Sequence, residues 1–141
     1  MKEYISNNEE QTKEVAKEFI KTISGGDIVL LEGDLGAGKT AFVKGVVEAL
    51  GGDGLSVTSP TFTIVNEYNV QGKTIYHFDL YRIESVEELF NIGIEEYFYG
   101  SGICFIEWPE RASELFVGTH KRVTIKKLGD SSRKIIIEEI N

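Results

Sequence analysis

Hydrophobic positions in this chain change period several times, and the changes mark its elements. Over residues 9–23 the apolar positions Val15, Ala16, Phe19, Ile20 and Ile23 recur three and four apart, which predicts a helix with one buried face. Ser6 and Glu9 have the spacing of a capping box at its start, and Gly25-Gly26 predicts its end. Ile28-Val29-Leu30-Leu31 reads as a short buried strand, and AFVKGVVEAL (41–50) as a helix stopped by Gly51-Gly52, with residues 51–54 a loop. TFTIVNEYNV and KTIYHFDLY, rich in β-branched and aromatic residues, flank Gln71-Gly72 and predict a β-hairpin. On its second strand Ile75, His77, Asp79 and Tyr81 share one face, and Tyr76, Phe78 and Leu80 the other. Ser85 and Glu88 form a second capping-box pattern, opening a short helix through Phe90, and another short helix is expected over residues 94–99. GICFIEW is a buried strand closed by Pro109, and RVTIKKL and KIIIEEI, separated by residues 129–132, form a last hairpin. The alternation predicts a mixed α/β fold, and the late hairpin argues against an all-parallel sheet.

The chain's 141 residues suit one domain with a core that needs no staples. A net charge of −8 weakens any case for independent nucleic-acid binding, which needs clustered Lys and Arg. The single cysteine, Cys104, excludes an internal disulfide and a cysteine-based metal cage; within GICFIEW it reads as a small buried hydrophobe, with a catalytic thiol as the alternative. The first ten residues lack the apolar run of a signal peptide, and no stretch is long and apolar enough for a membrane helix, so the cytoplasm is the expected compartment.

The chemistry is concentrated in residues 33–40, GDLGAGKT, which fit the G-x-x-x-x-G-K-[ST] pattern between a predicted strand and a predicted helix. Gly33, Gly36 and Gly38 allow a tight turn whose N–H groups close on phosphate oxygens, with the helix N-terminus aimed at the same anion. Asp34, Leu35 and Ala37 complete the loop; Lys39 suits the β- and γ-phosphates, and the Thr40 hydroxyl suits Mg²⁺. Such a loop needs a carboxylate on a neighbouring strand, and Glu107, at the end of Ile103-Cys104-Phe105-Ile106, is the candidate; an acid merely meeting solvent at a strand end is the plainer reading. Asp79 is the second acid, disfavoured by its place in a strand: it suits orienting water, accepting a proton or binding Mg²⁺ through water, or else pairing with Arg82 or capping a turn. His77, on the same face, either orients Asp79 or simply satisfies a buried hydrogen bond, the latter being favoured. Trp108 is a core plug or moves with Glu107, and SPTFT (59–63) is a switch segment or an ordinary Ser/Thr-Pro turn.

In their order and spacing, GDLGAGKT, SPTFTIVNEY, HFDLYRI and IEWPER resemble the bacterial TsaE (formerly YjeE) family over nearly the whole chain. The resemblance implies a single P-loop NTPase domain over residues 1–141, a three-layer α/β sandwich with a mixed, mostly parallel central sheet and antiparallel hairpins. It implies an Mg²⁺-dependent ATPase in the machinery that installs threonylcarbamoyl on the adenosine next to the anticodon in tRNAs reading ANN codons. Its partners would be TsaB and TsaD, with tRNA met through that complex, and ATP hydrolysis would reset the complex. Residue by residue, residues 36–40 would hold phosphates, Thr40 and Glu107 the Mg²⁺, and Lys39, Asp79 and Glu107 would serve hydrolysis. Ser59, Pro60, Thr61 and Phe62 would form a switch-like loop, and Thr12 and Arg133 would lie near the nucleotide. GKTAF stands where many relatives have GKTTF, removing a hydroxyl at Ala41.

Three other readings compete, and one of them, a scaffold that binds nucleotide without using it, is opposed by Asp79 and Glu107. A small-molecule kinase usually closes an Arg-rich lid, and no such insertion is present; a GTPase-type module would carry N-K-x-D and D-x-x-G, and both are absent. Hydrolysis by the isolated chain is expected to be slow, because no obvious arginine finger is supplied in cis; Arg82 and Arg111 are the candidates, or a partner supplies or orders the missing group.

Overall fold

Seven strands in the order β1-β7-β6-β2-β5-β4-β3 form one sheet in the computed structural model, which describes residues 1–34, 36–60 and 63–140. The strands are β1 (Lys2–Ser6), β2 (Ile28–Glu32), β3 (Val65–Val70), β4 (Lys73–Asp79), β5 (Ile103–Glu107), β6 (His120–Lys127) and β7 (Arg133–Ile140). The β6–β2, β2–β5 and β5–β4 pairings are parallel, whereas β1–β7, β7–β6 and β4–β3 are antiparallel. Only β3 and β7 run against the other five strands, so the sheet is mixed and mostly parallel in direction, with two hairpins at its flanks.

Alternation along the central strands sends their apolar residues to two cores. Val29, Leu31, Ile75, Phe105, Val123 and Ile125 pack with Phe19, Phe42, Val43 and Val46 of helices α1 (Glu9–Ile20) and α2 (Lys39–Ala49). Leu30, Phe78, Cys104 and Ile106 pack on the opposite face with Leu89 and Ile94 of α3 (Val86–Asn91) and α4 (Ile94–Phe98), and with Ala112 in the 3₁₀ segment Pro109–Leu115. Helix, sheet and helix are the three expected layers. Among the described residues no helix is long and apolar enough to cross a membrane.

Several local expectations need correction. Residues 2–6 form an edge strand that hydrophobic patterning did not indicate. Ser6 does not cap α1: Asn8 is the N-cap and accepts from Gln11 N at 2.8 Å, while Gln11 Oε1 accepts from Asn7 N at 2.7 Å. Ser6 closes β1 instead, donating to Asn8 O at 2.8 Å and bonding the Thr12 hydroxyl at 2.8 Å. α1 stops at Ile20, several residues before the glycines, and Ile23 packs on the core from outside the helix. The loop after α2 holds a 3₁₀ turn, Gly54–Ser56, capped by Asp53. The first hairpin strand begins at Val65, after the described Thr63 and Ile64. The Ser85–Glu88 capping pattern is present, with Glu88 accepting from Ser85 N at 3.1 Å.

Candidate functional site

The site forms where β2, β4 and β5 end side by side. Parallel register places Asp79 opposite Glu107, and Glu107 opposite Leu31, two residues before Gly33. The expected edge therefore collects both acids beside the phosphate loop. Gly38 takes φ +114° as the N-cap of α2, a conformation that a side chain would strain, and Phe42 N returns to its carbonyl at 3.0 Å. α2 thus begins at Lys39, with its free N–H groups at the loop.

Lys39 is almost fully buried, and its Nζ donates to Gly33 O at 2.7 Å. The same ammonium lies 3.5 Å from Glu107 Oε1 and 4.7 Å from the centre of the Trp108 ring. Burial of Glu107 opposes its ionisation, but the hydrogen bond and charge of His77, together with Lys39, outweigh burial and hold the carboxyl below its usual range. The plain solvent-facing reading of Glu107 does not hold, since only 4% of the residue is exposed. His77, fully buried, meets Glu107 Oε2 at 2.6 Å, so its partner is Glu107 and not Asp79. Asp79, also buried, accepts from Tyr81 N at 2.9 Å, and its own N–H donates to Ile64 O at 2.8 Å. Asp79 therefore caps the turn that ends β4, with its carboxylate at the level of Glu107.

Trp108 covers the site from a left-handed backbone (φ 57°), and Ile64 shares that unfavourable region (φ 68°). Bulky residues held there typically cost about 1–3 kcal/mol each and cluster where geometry serves function. The Tyr81 ring lies 4.9 Å from Trp108, and the Arg111 guanidinium lies 5.5 Å from the Tyr81 ring. This stack was not foreseen, because it depends on the turn after β4 meeting the turn after β5. Cys104 is a buried hydrophobe: burial pushes its thiol up to about 12, which removes the catalytic-thiol alternative.

Two cavities flank the loop. One, of about 300 Å³, is lined by Gly33, Asp34, Lys39, Trp108 and Glu110. The other, of about 470 Å³, is lined by Asn8, Thr12, Thr40, Lys44, Ser131 and Arg133 among others. Thr12 and Arg133 thus line one cavity with Thr40. Asn8, Lys44 and Ser131 are additions; Lys44, one turn beyond Thr40 on the same helix, was open to prediction from helical spacing. Arg133 Nε donates to Ala37 O at 2.9 Å, and Nη2 to Gly36 O at 3.4 Å. Its link to the β7–β1 edge follows from register, Ser6 standing opposite Arg133. Leu35, Thr61 and Phe62 lie outside the described residues; Ser59 and Pro60 are described, and Pro60 O accepts from Ile64 N at 3.1 Å.

Among the described residues no three His, Cys, Asp or Glu side chains gather as a self-sufficient metal site. Mg²⁺ does not require one, since it usually takes one or two protein oxygens and completes its shell with phosphate and water. An ionised, buried Glu107 and the Thr40 hydroxyl are oxygen donors of that kind, so the residues fit the ion.

The model of the family "Threonylcarbamoyl adenosine biosynthesis protein TsaE" matches residues 6–135. A tRNA threonylcarbamoyladenosine biosynthesis protein TsaE from Bacillus subtilis (strain 168) is 44% identical over 128 residues, 91% of this chain and 79% of the relative. A protein of the same name from Haemophilus influenzae is 44% identical over 114 residues, 81% of this chain and 72% of its own. The crystal structure of Bacillus subtilis YdiB superimposes with a TM-score of 0.80 at 37% identity, covering 99% of this chain and 86% of that one. With the match spanning residues 33–40, both acid-bearing strands and the first three residues of β7, the chain belongs to the TsaE family.

Proposed function

We propose that this chain is an ATP-hydrolysing subunit of the machinery that makes threonylcarbamoyladenosine in tRNA. Family membership supports the tRNA-modification role. The observation that carries the ATPase reading is the buried Lys39, held between Gly33 O and Glu107 at the start of α2. A lysine so placed passes readily from main-chain oxygen and carboxylate to phosphate, which offers the same kind of acceptor with more charge.

In this reading the N–H groups of residues 36–40 and the α2 N-terminus bind the phosphates. Lys39 transfers to the β- and γ-phosphates, while Glu107 and Thr40 hold the divalent ion. When bound, Mg²⁺ neutralises charge that develops on the transferring phosphoryl group. Asp79, fixed by the Tyr81 N–H, orients the attacking water or takes its proton. Trp108 and Tyr81 shield the lysine side of the site from solvent. The base occupies the cavity of about 470 Å³ between Thr12 and Arg133.

The substrate of the pathway is the adenosine next to the anticodon in tRNAs reading ANN codons, and TsaB and TsaD are the partners that hydrolysis resets. A net charge of −8 favours contact with tRNA through those partners over direct binding. Phosphate release should be slow for the chain alone and rise at least about tenfold on adding TsaB–TsaD with tRNA, because a partner supplies or orders the missing cationic group. An isolated chain that turns over ATP as fast as the full assembly would refute the proposal.

A further inference from the structure

The buried imidazole of His77 does not serve packing alone. A residue that only fills space in the sheet would be apolar, whereas His77 is fully buried and its Nδ1 has no hydrogen-bond partner among the described residues. Burying a polar atom without a partner is unfavourable and calls for a compensating role. The other ring nitrogen makes the 2.6 Å contact with Glu107 Oε2. A carboxylate can only accept, so Nε2 carries the proton. The two oxygens of Glu107 are thereby divided: Oε2 belongs to His77, and Oε1 lies 3.5 Å from Lys39 Nζ.

We infer that His77 is a positioning residue: its Nε2–H fixes the Glu107 carboxylate in the one orientation that presents Oε1 to the phosphate loop and its divalent ion. The side chain works across a strand pairing. His77 stands opposite Phe105 on β5, two positions before Glu107, so the imidazole reaches diagonally along the strand to the carboxylate. On its other side Asn66 of β3 is the register partner. Groups that hold a metal ligand from behind typically affect metal affinity or activity by about 10–100-fold. The inference rests on the reading that Glu107 serves the divalent ion.

The test is the gain in affinity for a non-hydrolysable ATP analogue that Mg²⁺ gives over EDTA, measured by calorimetry. His77→Gln keeps an N–H near the position of Nε2, whereas His77→Asn is equally polar but falls short of Glu107. His77→Asn should lose about tenfold or more of the Mg²⁺-dependent gain with its EDTA affinity unchanged, and His77→Gln should retain most of the gain. Equal gains in wild type and His77→Asn, or equal losses in both variants, would overturn the inference. Glu107→Gln separates the two readings: if it also keeps the Mg²⁺ gain, the metal assignment falls and takes the role of His77 with it. If Glu107→Gln loses the gain and His77→Asn keeps it, only the role of His77 falls. The wild-type protein gives a check independent of variant folding, because ¹⁵N NMR must show His77 protonated at Nε2, and a ring protonated only at Nδ1 would exclude the contact.

Discussion

Glu107 is ionised where burial opposes ionisation, and this has a measurable effect on stability. His77 and Lys39 lower its folded-state pKa below the unfolded value despite desolvation. A lowered carboxyl pKa adds stability that is fully present above the unfolded pKa and is lost as pH falls through the folded one. Urea midpoints of the wild-type chain should therefore drop on acidification below about pH 5. In Glu107→Gln that acid-side drop should be shallower, because this group no longer titrates. Parallel pH profiles for the two proteins would contradict the ion-paired arrangement. The same residue shows what single positions disclose: its place after four buried residues marked it as the acid of the site, but nothing local distinguished an orienting role for His77. Their contact joins residues 30 apart and exists only because β4 and β5 pair in parallel with one particular register.

Helices α1 and α2 set the width of the cavity of about 470 Å³ proposed to take the base, and a single glycine sets their distance. A Cβ at Gly45 would stand 2.7 Å from Lys13 Cα, 2.8 Å from Lys13 O and 2.8 Å from Ala16 Cβ. Two of those atoms are backbone and cannot turn aside. Gly45→Ala gains about 1 kcal/mol in helix propensity but meets an overpacking cost of about 1–3 kcal/mol. The net expectation is destabilisation of about 1 kcal/mol, read from urea unfolding, together with weaker nucleotide binding as α1 moves off α2. A variant as stable as wild type would show that the helices do not approach this closely. Elements with a strong local period were legible in the sequence: both long helices, the two hairpins, the buried β5 and the phosphate loop with its flanks. β1 was not, because KEYIS is mostly exposed and its strand partner among the described residues is β7, remote in sequence. The first residue of α1 was read correctly as Glu9, but its cap was misread because Ser6 has a capping residue's spacing; the edge strand claims Ser6 and Asn8 takes the cap.

At the scale of the molecule, Arg133 ties the last hairpin to the phosphate loop. Its donors all reach main-chain oxygens, those of Gly36 and Ala37 in the loop and those of Gly129, Asp130 and Ser132 in the turn before β7. None of these contacts is with a carboxylate, so the guanidinium keeps its charge beside the cavity that the proposed function assigns to the nucleotide. Arg133→Ala should weaken ATP binding about tenfold, the scale of one charged hydrogen bond, with the loss seen in calorimetry also for ADP. Unchanged affinity would remove Arg133 from the site. The strand order carries a consequence for synthesis. β2 holds the phosphate loop, yet its neighbours are β5 and β6, and β1 waits for β7 to emerge from the ribosome. A nascent chain stalled after residue 60 would have the loop but neither Glu107 nor Arg133 to hold it. The loop thus depends on residues translated long after it, and the nucleotide binding proposed for it should begin only once β5 and the start of β7 have been made.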